Sequence, residues 1–273
     1  MLRGFTYPLS PLGRASAADI PPWHYAADII AFEFWADTSA TARTLPPGLS
    51  PDPNSSGRVL ALFADWQFTG QSDELLEPER FQYRGFHVLV DAHRNGKPVS
   101  WTPYTYVDND AAMARDWILG CPTRLGQIFQ TRSFVAPGPA AAVIESDTKF
   151  GASLSVSGQR LAHGQLTLRQ QQADGYAILS RPIITRRYFP SLNVDHGDKA
   201  SVDELALAAI DDLIIVDAWC GDAELAFPLV AGEELHGLSP AKMSKGYRFS
   251  LSCTIRGVVV LQDMIRQGAA ASR

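Results

Sequence analysis

Alternation of apolar and polar residues is the pattern that most constrains the fold of this chain. In 247–260 (YRFSLSCTIRGVVV), every second residue of the central part is apolar, and polar residues lie between them. Because successive side chains of a strand point to opposite faces, such a segment buries one face and exposes the other. Apolar runs at 27–36, 58–68 and 212–220 predict further strands. The chain must therefore build a large sheet.

Two turn signals indicate that neighbouring strands pair in antiparallel fashion. Asn95-Gly96 lies between two extended runs, and Asn-Gly suits the type I′ turn of a hairpin. Ser157-Gly158 divides the alternating stretch 151–170 in the same way. No repeat, low-complexity tract or linker divides the chain. We therefore predict an α+β fold, mainly antiparallel sheet with a few helices, in one domain over residues 1–273.

Helical signals are few. In DNDAAMARDWIL, Asp108 or Asn109 is a candidate N-cap, Gly120 is a stop signal and Pro122 lies just beyond. A shorter signal, DTSATARTL, ends before two prolines. The segment 202–210 is ambiguous, because its Ala, Leu and Glu residues favour helix while it runs directly into a predicted strand.

Composition limits the compartment and the partners. The chain has 273 residues, 46% of them hydrophobic, which suffices for one large core. Its net charge of −5 and the lack of a basic block argue against nucleic acid. No run approaches the roughly 18 apolar residues that span a bilayer, and the N-terminus lacks a signal-peptide core. Three widely spaced cysteines suggest free thiols in a reducing cytosol. We therefore expect a cytoplasmic protein without nucleic-acid or membrane partners.

Common catalytic motifs are absent from the sequence. It contains no glycine-rich nucleotide loop, no HExxH and no GxSxG. None of the histidines has the spacing of a metal ligand to another histidine or to a cysteine, so we expect neither a metal nor a cofactor. The six histidines are His24, His87, His93, His163, His196 and His236. Asp108 and Asp110 are explained by helix capping. Trp101, Tyr104 and Tyr106, on the strand that enters this helix, either pack in the core or line a cavity.

The segment Tyr106 to Gly126 (YVDNDAAMARDWILGCPTRLG) resembles the signature segment of the acetoacetate decarboxylase family. It combines YVDNDAA, the pair Arg115-Asp116 and G-x-P-x-x-L-G. Other stretches resemble the family in the same order: DTSATARTLPPGLSP, FQYRGFHVLV with the NGK turn, SRPIITRRYFP and AWCGDAELAF. The resemblance implies a cone-shaped β-barrel with its pocket inside, and a homo-oligomer.

The resemblance also implies that the family's nucleophile is missing. In that family two lysines follow the proline, and the first forms a Schiff base with the substrate ketone. Here these positions are Thr123 and Arg124. A hydroxyl cannot form an imine, and a guanidinium with a pKa above about 12 is no amine nucleophile. The chain has five lysines, Lys97, Lys149, Lys199, Lys242 and Lys245. Most of them lie in turn-like or polar sequence surroundings, which would not lower the pKa of an amine.

Other family positions also differ. The substrate-side arginine falls on or near Trp35, a glutamate falls on Gly85, and the tyrosine before the proline is Cys121. These exchanges predict a larger, more apolar cavity. We assign Arg124 to binding a carboxylate or an enolate-like oxygen. We expect the catalytic candidates Tyr106 and Thr123, or Tyr104 or Cys121, either to assist proton transfer or to shape the cavity. Substrate-binding positions are Trp35, Gly85, Tyr104, Arg115 and Cys121.

Three functional hypotheses follow. The first is a biosynthetic enzyme of specialised metabolism that cyclises, dehydrates or non-covalently decarboxylates an apolar β-keto or polyketide-like molecule. The second is a non-catalytic pseudoenzyme that binds a small molecule. The third is a decarboxylase or aldolase that uses a displaced lysine.

Overall fold

A computed structural model describes residues 1–136, 138–194 and 200–266, so that His196 and Lys199 lie outside the described residues. All twelve strands belong to one sheet. They are β1 (Trp23–Trp35), β2 (Ser50–Pro51), β3 (Arg58–Thr69), β4 (Gln82–Arg94), β5 (Lys97–Val107), β6 (Thr123–Leu125), β7 (Gln127–Gln130), β8 (Lys149–Val156), β9 (Gln159–Gln171), β10 (Ile183–Pro190), β11 (Ala200–Ala226) and β12 (Lys242–Asp263). The α-helices are α1 (Thr38–Thr44), α2 (Pro78–Phe81) and α3 (Asp110–Leu119), and short 3₁₀ turns occupy Glu74–Leu76, Tyr176–Leu179 and Leu235–Leu238.

The predicted strands and hairpins are confirmed. The turn between β4 and β5 has positive φ at Asn95 (49°) and Gly96 (80°), and the turn between β8 and β9 has positive φ at Ser157 (50°) and Gly158 (76°). Two successive positive φ angles are the requirement of a type I′ turn, whose twist matches that of the strands it joins. The α+β, mainly antiparallel prediction therefore holds.

Seven strands pair into a closed ring in the order β5, β4, β3, β1, β12, β11 and β10. Most of the pairings are antiparallel, and a short parallel pairing of β10 with β5 closes the ring. The ambiguous segment 202–210 is part of β11, where it pairs with β10 on one side and β12 on the other. Backbone pairing on both sides outweighs its helix propensity. The distal half of β11 pairs with β9, which leads to β8 and β7.

Both faces of β1 are buried, which explains its nearly continuous apolar sequence. Ala27 and Ile29 face the ring interior together with Leu62 of β3 and Phe249 of β12. The opposite face packs against β8 and β9 in an outer core whose central members include Phe32, Phe34, Phe63, Phe86, Phe150 and Leu166. The ring interior is continued at one end by aromatic residues beneath α3 and at the other by Ile178.

Helix α3 begins and ends where its sequence predicts. The Asn109 side chain accepts a hydrogen bond from the amide of Ala112 (2.8 Å), whereas Asp108 accepts one from the amide of Arg84 (2.6 Å) and so holds β4. Gly120 ends the helix with φ of 88°, and a Cβ there would lie 2.8 Å from the backbone nitrogen of Arg187. Glycine is therefore required both for the left-handed conformation and for the close approach of β10. Within the described chain, no helix is long and apolar enough to cross a membrane.

Candidate functional site

Strand β6 divides the signature segment between two faces of the sheet. It pairs in parallel with β5, so that Thr123 lies beside Thr105, Arg124 beside Tyr106 and Leu125 beside Val107. Paired residues share a face, and successive residues alternate. Val107 belongs to the core of the ring interior and Tyr106 to the outer core. Thr123 therefore faces the ring interior, and Arg124 faces the opposite side.

On the interior side, Thr123 is tied to the C-terminal turn of α3. Its hydroxyl donates to Oδ2 of Asp116 (2.9 Å), and its carbonyl oxygen accepts from the indole N–H of Trp117 (2.8 Å). Burial raises the pKa of Asp116 to about 6, although the Thr123 hydrogen bond and the Arg115 charge oppose the rise. Burial, with the Asp116 charge, also raises the pKa of the neighbouring Cys121 thiol. Asp116 is thus a carboxyl group that changes charge near neutral pH.

Arg115 is fully buried (0% exposed) beside this pair. Its guanidinium carbon lies 3.9 Å above the Phe68 ring and 5.6 Å from the centroid of Tyr83. None of its three side-chain nitrogens makes a hydrogen bond of good geometry with the described residues, although the hydroxyls of Tyr25 and Tyr83 lie close enough for its charge and a weak hydrogen bond to lower their pKa values against the larger raising effect of burial. Leaving a buried donor unpaired costs about 1–3 kcal/mol, and more for a charged group. Cation–π contacts offset only part of that cost.

Gly85 faces the ring interior between two further unpaired nitrogens. A Cβ at Gly85 would lie 2.8 Å from Nε2 of His87 and 3.1 Å from Nε1 of Trp66. Both nitrogens are buried and have no hydrogen-bond partner. Burial lowers the pKa of His87 to about 4, so its imidazole is neutral at pH 7. The glycine thus leaves space that two polar side-chain tips occupy.

On the opposite side, Arg124 and Tyr106 hold one carboxylate. Oε2 of Glu233 accepts from Nη1 of Arg124 (2.7 Å) and from the hydroxyl of Tyr106 (3.0 Å). Burial and the Glu233 charge raise the pKa of Tyr106, so it remains a neutral donor. Glu233 borders an open groove of about 650 Å³, whose other lining residues include Tyr104, Trp101, Arg186 and His236.

The predicted site residues therefore do not form one cluster. Gly85, Arg115, Cys121 and Thr123 lie toward the ring interior, whereas Tyr104, Tyr106 and Arg124 lie on the groove side. Trp35 lies at the end of β1, where Nζ of Lys242 is 5.8 Å from its ring centroid. The first group includes Thr123, the position that the resemblance aligns with the family's nucleophile, so we take the ring interior, not the groove, as the candidate site.

Sequence reasoning missed Trp66 and His87 as site residues. Both were predictable in principle, because strand alternation places them on the same face as Gly85, but this requires knowing that β3 pairs with β4. The sequence also contains no sign of a role for Glu233, because this residue lies more than 100 positions away from its partners Tyr106 and Arg124. The four lysines that the structure describes are all exposed: Lys97, Lys149, Lys242 and Lys245.

The comparisons with known proteins agree with the signature segment. The family model for acetoacetate decarboxylase (ADC) matches residues 6–265. The enduracididine biosynthesis enzyme MppR, solved with the condensation product of pyruvate and imidazole 4-carboxaldehyde, is 30% identical with a TM-score of 0.89, and 97% of this chain and 98% of that chain are covered. A second structure of that enzyme is complexed with pyruvate.

More distant structures share the fold. An acetoacetate decarboxylase-like enzyme from Sphingomonas wittichii RW1 has a TM-score of 0.87 at 22% identity, covering 96% of this chain and 100% of that chain. Acetoacetate decarboxylase from Legionella pneumophila has a TM-score of 0.76 at 19% identity, covering 97% and 98%. No curated protein matches the sequence significantly. With nearly its whole length matched by the family model, the chain belongs to the acetoacetate decarboxylase family.

Proposed function

We propose that this protein is a biosynthetic enzyme of lyase or cyclase type that acts, without a Schiff base, on a small β-keto carboxylate inside the ring of strands. The observation that carries the proposal is the fully buried Arg115 guanidinium, which has no carboxylate bound to it and only the hydroxyls of Tyr25 and Tyr83 as weak partners among the described residues. A carboxylate is the group that satisfies a planar guanidinium best, through two parallel hydrogen bonds.

The same location favours a reaction rather than binding alone. Asp116, with a pKa near 6, lies next to Arg115 and holds the Thr123 hydroxyl. A carboxyl group that titrates near neutral pH is suited to accept or donate a proton, and in this proposal Thr123 orients it. The relative MppR, a biosynthetic enzyme that binds pyruvate and a condensation product, supports a keto-acid substrate class.

The proposed site contains no lysine amine that could form an imine with the substrate. Thr123 carries a hydroxyl at the position that we align with the family's lysine, and the described lysines are exposed, so none of them lies desolvated inside the ring. Arg115 is closed to water in this structure. A substrate therefore enters by loosening the packing between α3 and the aromatic residues at this end of the ring.

The decisive experiment follows acetoacetate and benzoylacetate by proton NMR with the wild-type protein and with Arg115→Gln, Asp116→Asn and Thr123→Val. We expect turnover of at least one β-keto acid, a loss of 100-fold or more in Arg115→Gln, and no mass adduct after borohydride reduction. A borohydride-trapped adduct would instead establish a displaced lysine. Tight binding with full recovery of the unchanged ligand would establish the pseudoenzyme. We also expect a homo-oligomer, which light scattering would measure.

A further inference from the structure

Trp66 and His87 present two hydrogen-bonding nitrogens to one point above Gly85. That point, the position of a Cβ on the glycine, lies 2.8 Å from Nε2 of His87 and 3.1 Å from Nε1 of Trp66. An oxygen that accepts from two donors lies about 2.7–3.2 Å from each. That point is one bond length from the glycine Cα and is not itself free for an oxygen, but it shows that the two nitrogens lie within about 6 Å of each other, close enough for both to donate to one acceptor atom farther from the glycine.

Neither nitrogen has a hydrogen-bond partner within the described protein, and both are closed to water. The two rings meet edge to face, with centroids 6.3 Å apart and planes at 88°, and both side chains are only partly buried. The nitrogens themselves are covered, so an acceptor reaches them only when the two rings move apart. Buried polar groups of native proteins are nearly always paired, and an unpaired group calls for a specific explanation.

The chemistry of the two groups restricts what they can bind. An indole N–H only donates, and a neutral imidazole donates from one nitrogen and accepts at the other. If the His87 proton is on Nε2, the pair is a two-donor site for one oxygen. Around it, Ala64, Val107 and Phe249 are apolar, so a hydrogen bond to a developing negative charge is strong there.

We infer that Trp66 and His87 form the keto-oxygen site of this protein, donating from Nε1 and Nε2 to the carbonyl oxygen of the substrate and to the enolate oxygen formed from it. The inference rests on the proposed function. An incoming oxygen turns both rings slightly away from the bare Cα of Gly85. When a β-keto carboxylate loses carbon dioxide, the electron pair of the broken C–C bond forms the enolate, whose oxygen the two N–H groups stabilise. The enolate carbon then takes the proton of the neutral Asp116 carboxyl group, which gives the ketone and leaves Asp116 as a carboxylate to be reprotonated from water.

Two probes that differ only in the ketone test this site. Benzoylacetate and 3-phenylpropanoate share a carbon skeleton and a carboxylate, but only the first has a keto oxygen. We expect calorimetry to show benzoylacetate binding about tenfold more tightly to the wild-type protein, since one good hydrogen bond to a charged or polarised oxygen is worth about that factor. In Trp66→Phe and His87→Leu this preference disappears, while the affinity for 3-phenylpropanoate stays within twofold.

The matched control is Trp101→Phe, because Trp101 also carries a buried indole nitrogen without a partner but lines the open groove. It should leave the affinity for both probes unchanged. In ¹⁵N-labelled protein, the Trp66 indole signal should shift with benzoylacetate and not with 3-phenylpropanoate.

The possible failures are distinguishable. If Trp66→Phe weakens both probes equally, Trp66 only packs in the ring and the keto-oxygen site is refuted. If the wild-type protein binds both probes equally but Arg115→Gln weakens both, the site is again refuted while the carboxylate site stands. If the wild-type protein binds neither probe, the proposed function and this inference both fall.

Discussion

Thr123 and Arg124 are consecutive in β6, yet the first hydrogen-bonds to Asp116 on the interior side of the ring and the second to Glu233 on the groove side. The alternation of a strand imposes this separation. The proposed reaction inside the ring would therefore use the face of Thr123, whereas Arg124 contacts Glu233 on the other face.

This relationship predicts unequal effects of two substitutions. Arg124→Ala should lower turnover by less than about threefold, because Arg124 lies on the face opposite Thr123 and Tyr106 still donates to the Glu233 carboxylate after the substitution. Thr123→Val removes the donor to Asp116 and should lower turnover by tenfold or more, with a shifted pH profile. Steady-state kinetics on the substrate identified by NMR would measure both. A larger loss in Arg124→Ala than in Thr123→Val would place the chemistry in the groove.

Arg115 offers a test that separates binding from stability. In Arg115→Met, an apolar side chain of similar length replaces a buried cation, and such exchanges are often neutral or stabilising by about 1–4 kcal/mol. We expect an unchanged or higher free energy of unfolding in urea together with loss of carboxylate binding. A loss of stability of about 3 kcal/mol or more would show that Arg115 is chiefly structural.

Asp116 and His87 should change the free energy of unfolding in opposite directions as the pH rises. Burial raises the pKa of Asp116 from 3.8 to about 6, so the folded state favours its protonated form and stability falls as the pH rises from 4 to 6. Burial lowers the pKa of His87 from 6.5 to about 4, so stability falls as the pH drops through that range.

Substitution separates the two effects. Relative to wild type, Asp116→Asn should gain up to about 3 kcal/mol at pH 7.5 and nothing at pH 4, whereas His87→Gln should gain at pH 4 relative to pH 7.5. The neighbours of position 116 are the same in the wild-type protein and in Asp116→Asn, so their effects cancel in the comparison. These neighbours are Arg115, Thr123 and Cys121. Urea unfolding at the two pH values is the measurement, and parallel profiles for variant and wild type would contradict the assigned pKa directions.

A buried ionic network predicts a large effect far from the candidate site. Arg58 contacts Glu33 (2.5 Å) and Asp91 (3.1 Å), and Arg181 also binds Asp91 (3.1 Å). Removing Arg58 leaves the largely buried Glu33 carboxylate without a cationic partner, while Arg181 still holds Asp91, so Arg58→Met should cost about 3 kcal/mol in free energy of unfolding. The control is Arg256→Met, whose partner Asp211 is exposed, and which should cost less than about 1 kcal/mol. Equal costs would refute the network's role.

Gly221 should tolerate no side chain. A Cβ there would lie 1.8 Å from the carbonyl oxygen of Thr167 on β9, which forces a backbone shift. We expect Gly221→Ala to lower the free energy of unfolding by about 1–3 kcal/mol. Gly237→Ala, where a Cβ meets nothing within 4 Å, should have little effect. Thermal unfolding of both variants provides the comparison, and similar melting temperatures would contradict the predicted clash.

Local sequence patterns were enough to predict most elements. Alternation and the two turn pairs predict the strands and hairpins, and the Asn109 cap with Gly120 bounds α3, because these signals act over a few residues. Segment 202–210 was ambiguous because its state depends on β10 and β12, which pair with it across the ring.

By itself, the sequence determined the antiparallel strands and the family resemblance, and it suggested that Thr123 and Arg124 stand at the positions of the family's lysines. Only the tertiary structure decided which of these side chains share a space. Strand pairing places Trp66 and His87 over Gly85, and it separates Arg124 from Thr123. The physical reason is that a strand's alternation specifies two faces, but only its partners determine which face becomes the inside of the ring.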